Sequence, residues 1–390
     1  MLKEVHKMLD SLYPEMVEIR RYLHQYPELS FQETKTAQYI ADFYKELGIP
    51  YQTKVGGNGV IATLKGGKPG KTVALRADFD ALPIQDEKDV PYKSKVDGVM
   101  HACGHDGHTA QLLMLAKTMK EFQTELFGTI VFLHQHAEEY APGGAKPIVE
   151  SGALDHVDAI FGTHLWATTP FGVLQTSKDV FMAGADRFEI TIQGQGGHGA
   201  YPHETKDAIV IGSQVISDLQ QIVSRRLDPL ETAVLTIGKF EAGTAFNVIA
   251  DKATLVGTVR YLNTDIQEKI IDEMEKIIKG VCTANDATYD FNYEKGYPPL
   301  VNHAGDAELV LEAGEKIDEV HTAEEVVPVM GGEDFAYYTI AKPGAYFFTG
   351  AAKEGHIYPH HHPKFDIDER ALPVAAKTLI QAYFDYQEKN

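Results

Sequence analysis

Residues 98–110 read GVMHACGHDGHTA, three histidines, a cysteine and an aspartate among small residues, in a chain with only two cysteines in 390 residues. Alternate positions of an extended loop face the same way, so His101, Cys103, His105 and His108 are candidate metal ligands. The glycine and helix start that follow single out Cys103 and His105. His108 falls in the first helical turn, where a packing role competes. There is no CxxC, so a thioredoxin-like redox role lacks its resolving thiol. A Cys–His nucleophile stays open, but it gives the other polar clusters of the chain no purpose.

Those clusters are Glu138-Glu139 in HAEEYAPGGA, His164 in GTHLW, and His360-His361-His362 in YPHHHPKFD. Adjacent acids usually sit on a solvated face. Here they follow an apolar run and precede a turn-rich stretch, where neighbouring residues face different partners. One carboxylate can then bind a cation while the other acts as general base toward an activated water. Nearby cations also prevent the two charges from forcing one carboxyl neutral. A thiolate, imidazoles and carboxylates together suit a borderline ion, Zn²⁺ above all, with Mn²⁺ or Co²⁺ as alternatives. Five such ligands exceed one tetrahedral site and imply a bridged pair.

The elements that must position these groups follow from the apolar pattern. TVALRAD (72–78), GTIVFLHQ (128–135) and AIFGTHL (159–165) are short, nearly all-apolar runs, as in buried strands of a parallel sheet. A helical pattern at 108–122 lies between them, and the alternation predicts an α/β layer sandwich. Each run ends in polar residues: Asp78 and Asp80, then Glu138-Glu139, then His164. In open α/β sheets the functional crevice lies at that carboxyl edge.

From about residue 184 the rhythm changes to strand, helix (205–224), two strands, helix (264–281) and strand, the β-α-β-β-α-β order of a ferredoxin-like unit. The α/β pattern resumes near 300, with a helix at 304–319 and AYFFTG as a strand. The expected organisation is a discontinuous catalytic domain, 1–183 and 295–390, carrying an inserted domain at 184–294.

Composition narrows the class further. With 36 basic and 56 acidic side chains the formal charge is −20, which opposes a nucleic-acid partner. Leu2, Val5, Leu9, Leu12, Met16, Ile19 and Leu23 recur at helical spacing in an N-terminus too charged for a signal peptide. Nowhere do 18 apolar residues run together, so no membrane span is expected. Cys103 and Cys282 are too few for a disulfide framework, and the plain reading is a cytoplasmic protein.

MHACGHDGHTA, HAEEYAPGGA, GTHLW, GGHGAYPH, FNVIAD, GTVR, GGEDFAYY and HHHPKFDID resemble, in order, the motifs of the M20 metallopeptidase superfamily. The branch they resemble is the amidohydrolase one, with hippurate hydrolases, N-acyl-amino-acid deacylases and auxin-conjugate hydrolases. The resemblance spans nearly the whole chain, from RRYLHQYPELSFQE onward. It implies a zinc-peptidase-like α/β domain with an inserted ferredoxin-like lid and dimerisation domain, and two divalent ions per subunit (Mn²⁺ or Zn²⁺, with Co²⁺ or Ni²⁺ as alternatives). It makes Cys103, His105, Glu139, His164 and His361 the ligands, with Cys103 as the bridge. Glu138 becomes the general base and acid. His198 becomes the group that polarises the scissile carbonyl, and Asn247 and Arg260 those that hold the substrate carboxylate. Asp78 and Asp80 stand behind the ligands, and Glu333 lies near the site. His136 departs from the family's usual proline before Ala-Glu-Glu, and His362 from its usual asparagine. The implied substrate is an N-acyl amino acid, alternatively a dipeptide or small peptide, and the implied assembly a homodimer through the inserted domain. A metal-dependent binding protein on the same scaffold is the non-enzymatic alternative.

Overall fold

A computed structural model describes residues 1–355 and 358–389. The chain divides into two units. The first comprises Met1–Phe181, Leu300–Val327 and the residues from Asp334 onward; the second comprises Met182–Pro299 and Pro328–Glu333.

The first unit is built on an eight-stranded sheet. Its strands run in the order Tyr51–Val55, Gly59–Lys65, Phe127–Gln135, Lys68–Asp78, Ala159–Pro170, Gly344–Ala352, Val173–Thr176 and Thr322–Glu325. The three apolar runs noted above occupy its centre, and Lys68–Asp78 pairs parallel with both Phe127–Gln135 and Ala159–Pro170. Gly344–Ala352 adds a fourth parallel strand beside Ala159–Pro170. The sheet is mixed rather than wholly parallel. The Tyr51–Val55/Gly59–Lys65 hairpin joins one side antiparallel, and Val173–Thr176 meets Gly344–Ala352 antiparallel on the other. Glycines at 56, 57 and 59 make that hairpin turn possible, with φ +62° and +137° at the first two.

Buried strands need cover on both faces. The helix His105–Glu121 belongs to the cover of one face, burying Leu112, Leu113, Leu115, Ala116 and Met119 in the core. The N-terminal apolar positions form two helices, Leu2–Ser11 and Tyr13–Gln25, the second starting with Pro14 in its first turn. A C-terminal helix, Ala371–Lys389, completes this layer.

The second unit has a four-stranded antiparallel sheet in the order Ala233–Ala242, Lys252–Tyr261, Gly184–Gln193, Thr288–Tyr297. Phe188, Ile190 and Ile192 alternate onto one face and meet Ile211, Val215 and Leu219 of the helix Ala208–Leu219 and Ile270, Met274 and Ile278 of Asp265–Ala284. That helix begins at 208 rather than 205, because Asp207 caps it by accepting from the backbone N–H of Ile209 and Val210. No helix among the described residues is long and apolar enough to cross a membrane.

Candidate metal centre

Cys103 and His105 flank Gly104, whose φ of +106° turns the loop into the helix His105–Glu121. Ligand atoms of Cys103, His105 and His164 lie within 4.8 Å of one another, and so do those of Cys103, Glu139 and His361. The two groups share the Cys103 sulfur. A further group joins His105, Glu138 and Glu139 at the same spacing. Individual approaches are 3.3 Å from Cys103 Sγ to His164 Nε2, 3.8 Å from His105 Nε2 to Glu139 Oε1 and 3.3 Å from His361 Nε2 to Glu139 Oε2. Four distant segments thus converge at the carboxyl ends of the central strands.

The surrounding hydrogen bonds leave the ligating atoms free. His105 Nδ1 donates to Asp80, whose carbonyl and carboxylate oxygens lie at 3.0 and 3.2 Å, so its Nε2 carries the lone pair. His164 Nδ1 donates to the Leu165 carbonyl at 3.1 Å, which turns its Nε2 toward Cys103. His105 Nε2 and Glu139 Oε1 are buried and have no hydrogen-bond partner. Two buried acceptors facing each other are costly unless a cation lies between them, so the donor set fits a borderline divalent ion.

The other histidines are otherwise engaged. His108 donates from Nδ1 to Asp78 at 2.6 Å and accepts from the Leu165 N–H at Nε2, 2.9 Å, so it has no lone pair to offer although it lies beside His105. His101 is buried, and burial pulls its imidazole down to about 3. In the triplet, His360 Nε2 accepts from the Ala167 N–H at 3.0 Å, and His362 Nδ1 from Lys364 N–H at 3.0 Å. His361, with φ +64°, is the one that reaches Glu139.

The electrostatics point the same way. Burial disfavours charge on His105, yet Asp78, Asp80 and Glu139 push its pKa up to about 10: with no metal bound, this negative pocket draws a proton onto Nε2, which a cation would displace to expose the lone pair. Burial raises the Cys103 thiol well above its usual range, and Glu139, Glu138 and Asp78 raise it further. A thiolate there needs a cation for company, which weighs against a free thiol nucleophile. Burial leaves His164 neutral, the form that ligates.

Behind the ligands, Asp80 also accepts from the Glu139 N–H at 2.9 Å and from Ser30 Oγ at 2.7 Å. Asp78 pairs with Arg76 at 2.6 Å, and Arg76 reaches Asp334 at 3.1 Å. Gln135 donates to Asp334, and so does the Ala145 N–H. His136, standing where a proline is usual, packs its ring against Gly57. Arg76, Gln135, Asp334, Ser30 and Glu33 are not singled out by the sequence; of these only Gln135, at the end of Phe127–Gln135, sits where a strand-end signal could have found it.

His198, Asn247 and Arg260 belong to the second unit and are not among the side chains the first unit gathers. Within that unit, Gly199 N–H donates to the Asn247 carbonyl at 2.9 Å and His198 pairs with Val248, so His198 and Asn247 share one small ribbon. His198 Nδ1 accepts from the Ala200 N–H at 3.1 Å, which puts the ring proton on Nε2, an exposed donor. Arg260, on Lys252–Tyr261, is half-buried with no ion-pair partner among the described residues, and burial lowers its pKa. Glu333 falls in the Pro328–Glu333 segment of the same unit.

Residues 74–384 match the model of Peptidase family M20/M25/M40, and the chain belongs to that family, a metal-binding hydrolase of carbon–nitrogen bonds. YhaA of Bacillus subtilis (strain 168), assigned as an amidohydrolase, is 54% identical over 99% of this chain and 98% of its own. The N-acyl-L-amino acid amidohydrolase of Geobacillus stearothermophilus is 46% identical, covering 77% of this chain and 81% of its own. Among solved structures, the YxeP protein of Bacillus subtilis, described as a dinuclear metal binding peptidase of the M20 family, superposes with a TM-score of 0.83. It is 34% identical over 98% of this chain and 100% of its own.

Proposed function

We propose that the chain is a binuclear metal-dependent amidohydrolase that cleaves the amide bond of N-acyl amino acids. Cys103, His105, Glu139, His164 and His361 would hold two divalent cations, Cys103 being the residue common to both ligand groups. The observation that carries this reading is the pair of ligand groups meeting at Cys103, with Glu138 beside Glu139 at their margin. Bound ions of this kind supply Lewis acidity, lowering the pKa of water and polarising a carbonyl.

The remaining steps belong to the chain. Glu138 takes a proton from the attacking water and returns it to the departing amine. His198, a donor at Nε2, polarises the scissile carbonyl. Removing one such donor typically costs about 10²–10³ in kcat. Arg260, with no ion-pair partner among the described residues, and Asn247 hold the carboxylate of the substrate. The subunits pair through the second unit, and the ions are Mn²⁺ or Zn²⁺, with Co²⁺ or Ni²⁺ as substitutes.

The name of the Geobacillus relative and that of the N-acetylcysteine deacetylase of Bacillus subtilis, 39% identical, support an N-acyl amino acid as substrate. A dipeptide or small peptide is the second reading, favoured by the 40% identity to thermostable carboxypeptidase 1 of Saccharolobus solfataricus. The test is amine release from N-acyl amino acids and dipeptides after reconstitution with Mn²⁺, Zn²⁺ or Co²⁺. We expect chelation to abolish turnover and Glu138→Gln to lose it while keeping metal. Silence across the whole panel favours a metal-dependent binding protein instead, and an active Glu138→Gln removes the role given to Glu138.

A further inference from the structure

We propose that Glu33 is a positioning residue for the general base, acting through the backbone of the turn that carries Glu138 and Glu139. The inference rests on the role given to Glu138 above.

Glu33 lies in the segment PELSFQET, just before the helix Thr34–Glu46, and is 0% exposed. A buried carboxylate needs donors around it, and this one has three. Its Oε1 accepts from the backbone N–H of Phe31 and of Ala137, each at 2.9 Å. Its Oε2 accepts from Asn58 Nδ2 at 3.0 Å, at the tip of the Tyr51–Val55/Gly59–Lys65 hairpin. No intervening side chain is needed between Glu33 and the catalytic turn.

Ala137 is the residue that needs holding. Its φ is +52°, a left-handed conformation that an L-residue with a Cβ adopts only when its surroundings impose it. The impositions are few and identifiable. Glu33 takes the Ala137 N–H, Gly144 N–H donates to the Ala137 carbonyl at 3.1 Å, and Asp80 takes the Glu139 N–H at 2.9 Å. His136 is wedged against the hairpin, where a Cβ on Gly57 would come within 2.4 Å of its Nε2. Asp80 and Gly144 hold the far side of the turn; at its entrance Glu33 takes the Ala137 N–H, while Gln135 Nε2 donates to the His136 carbonyl of the same peptide at 3.3 Å. With that acceptor gone, Ala137 relaxes toward negative φ and the peptide leading into Glu138 rotates. Glu139 stays tied by Asp80, so the base moves more than the ligand does.

The experiment compares Glu33→Gln with Glu33→Met in the metal-loaded enzyme, with Glu138→Gln alongside. Both Glu33 variants lose the charge, but only Gln keeps an oxygen for the Phe31 and Ala137 N–H groups, while Asn58 can rotate its amide to accept from the new N–H. We expect Glu33→Gln to keep kcat within about 3-fold of wild type. Glu33→Met should lose about 100-fold in kcat, with KM and bound metal nearly unchanged, as expected when a catalytic group is displaced by about 1 Å. Equal kcat in the Gln and Met variants overturns the proposal. So does a Met variant that loses fold or metal in step with activity, since Glu33 is then structural only. Activity surviving in Glu138→Gln removes the base reading beneath the proposal, whatever the Glu33 variants do.

Discussion

At the scale of single residues, Asp80 does more for the site than its position behind the ligands implies. One carboxylate fixes the tautomer of His105 through Nδ1 and the backbone of Glu139 through its N–H. It therefore aims one proposed ligand, His105, from the cysteine loop and another, Glu139, from the acidic turn. Asp80→Asn keeps the shape but offers an amide N–H to one of these donors, which it cannot satisfy. Partners of this kind typically contribute 10- to 100-fold to metal affinity. We expect a loss of about that size in a chelator competition, scored against the folded fraction of the variant. At Cys103, the residue common to two candidate ligand groups, burial first and then Glu139 and Glu138 disfavour the thiolate unless a cation accompanies it.

At the scale of elements, the helix Tyr13–Gln25 braces the metal loop from below. Arg20 is fully buried and pairs with Asp106, Asp366 and Glu369 at 2.9–3.0 Å. Asp106 follows His105, and Asp366 lies five residues beyond His361, so one guanidinium ties the segments that carry these two proposed ligands to one helix. For Asp366, burial alone would raise the pKa, but Arg20 and Lys353 outweigh it and hold the carboxyl well below its usual range. The unfolded value is about 3.9, so its contribution is complete above that pH and is lost as pH falls through the depressed folded value. Wild type should therefore exceed Asp366→Asn in melting temperature at pH 6, with the gap narrowing steadily between about pH 4 and pH 2. A gap that stays constant over that range would show that the Asp366 charge is not coupled to folding.

At the scale of the whole molecule, the second unit presents an edge strand, Ala233–Ala242, with Val234 and Phe240 exposed, next in the fold to a helix that exposes Ile209 and 58% of Val210. Unpaired strand edges and apolar side chains in combination favour association, which supports the dimer proposed above. Val210→Asp combined with Phe240→Glu should halve the mass seen by light scattering while leaving bound metal per chain unchanged. Unaltered mass would place any assembly elsewhere.

Much of this was legible in the linear chain. Three all-apolar runs marked the central strands, because strands buried on both faces have no polar positions to disguise them. His, Cys and Glu at the ends of those runs marked the chemistry, because few other roles gather those residue types. The edge hairpin was harder to read, since its first strand is largely exposed and carries little apolar pattern. Which histidine keeps a lone pair was decided only in three dimensions. His108 and His105 are three residues apart in one helix, yet Asp78 and the Leu165 N–H occupy both nitrogens of the first, while Asp80 leaves one nitrogen of the second open. Glu33 was equally silent, because its meaning lies in the N–H of a residue 104 positions away. Residue type and apolar periodicity in the chain suffice to propose the candidate ligands and to read the layered architecture. Tertiary structure alone decided which atoms are free to bind, because a hydrogen bond between distant segments leaves no local trace in the chain.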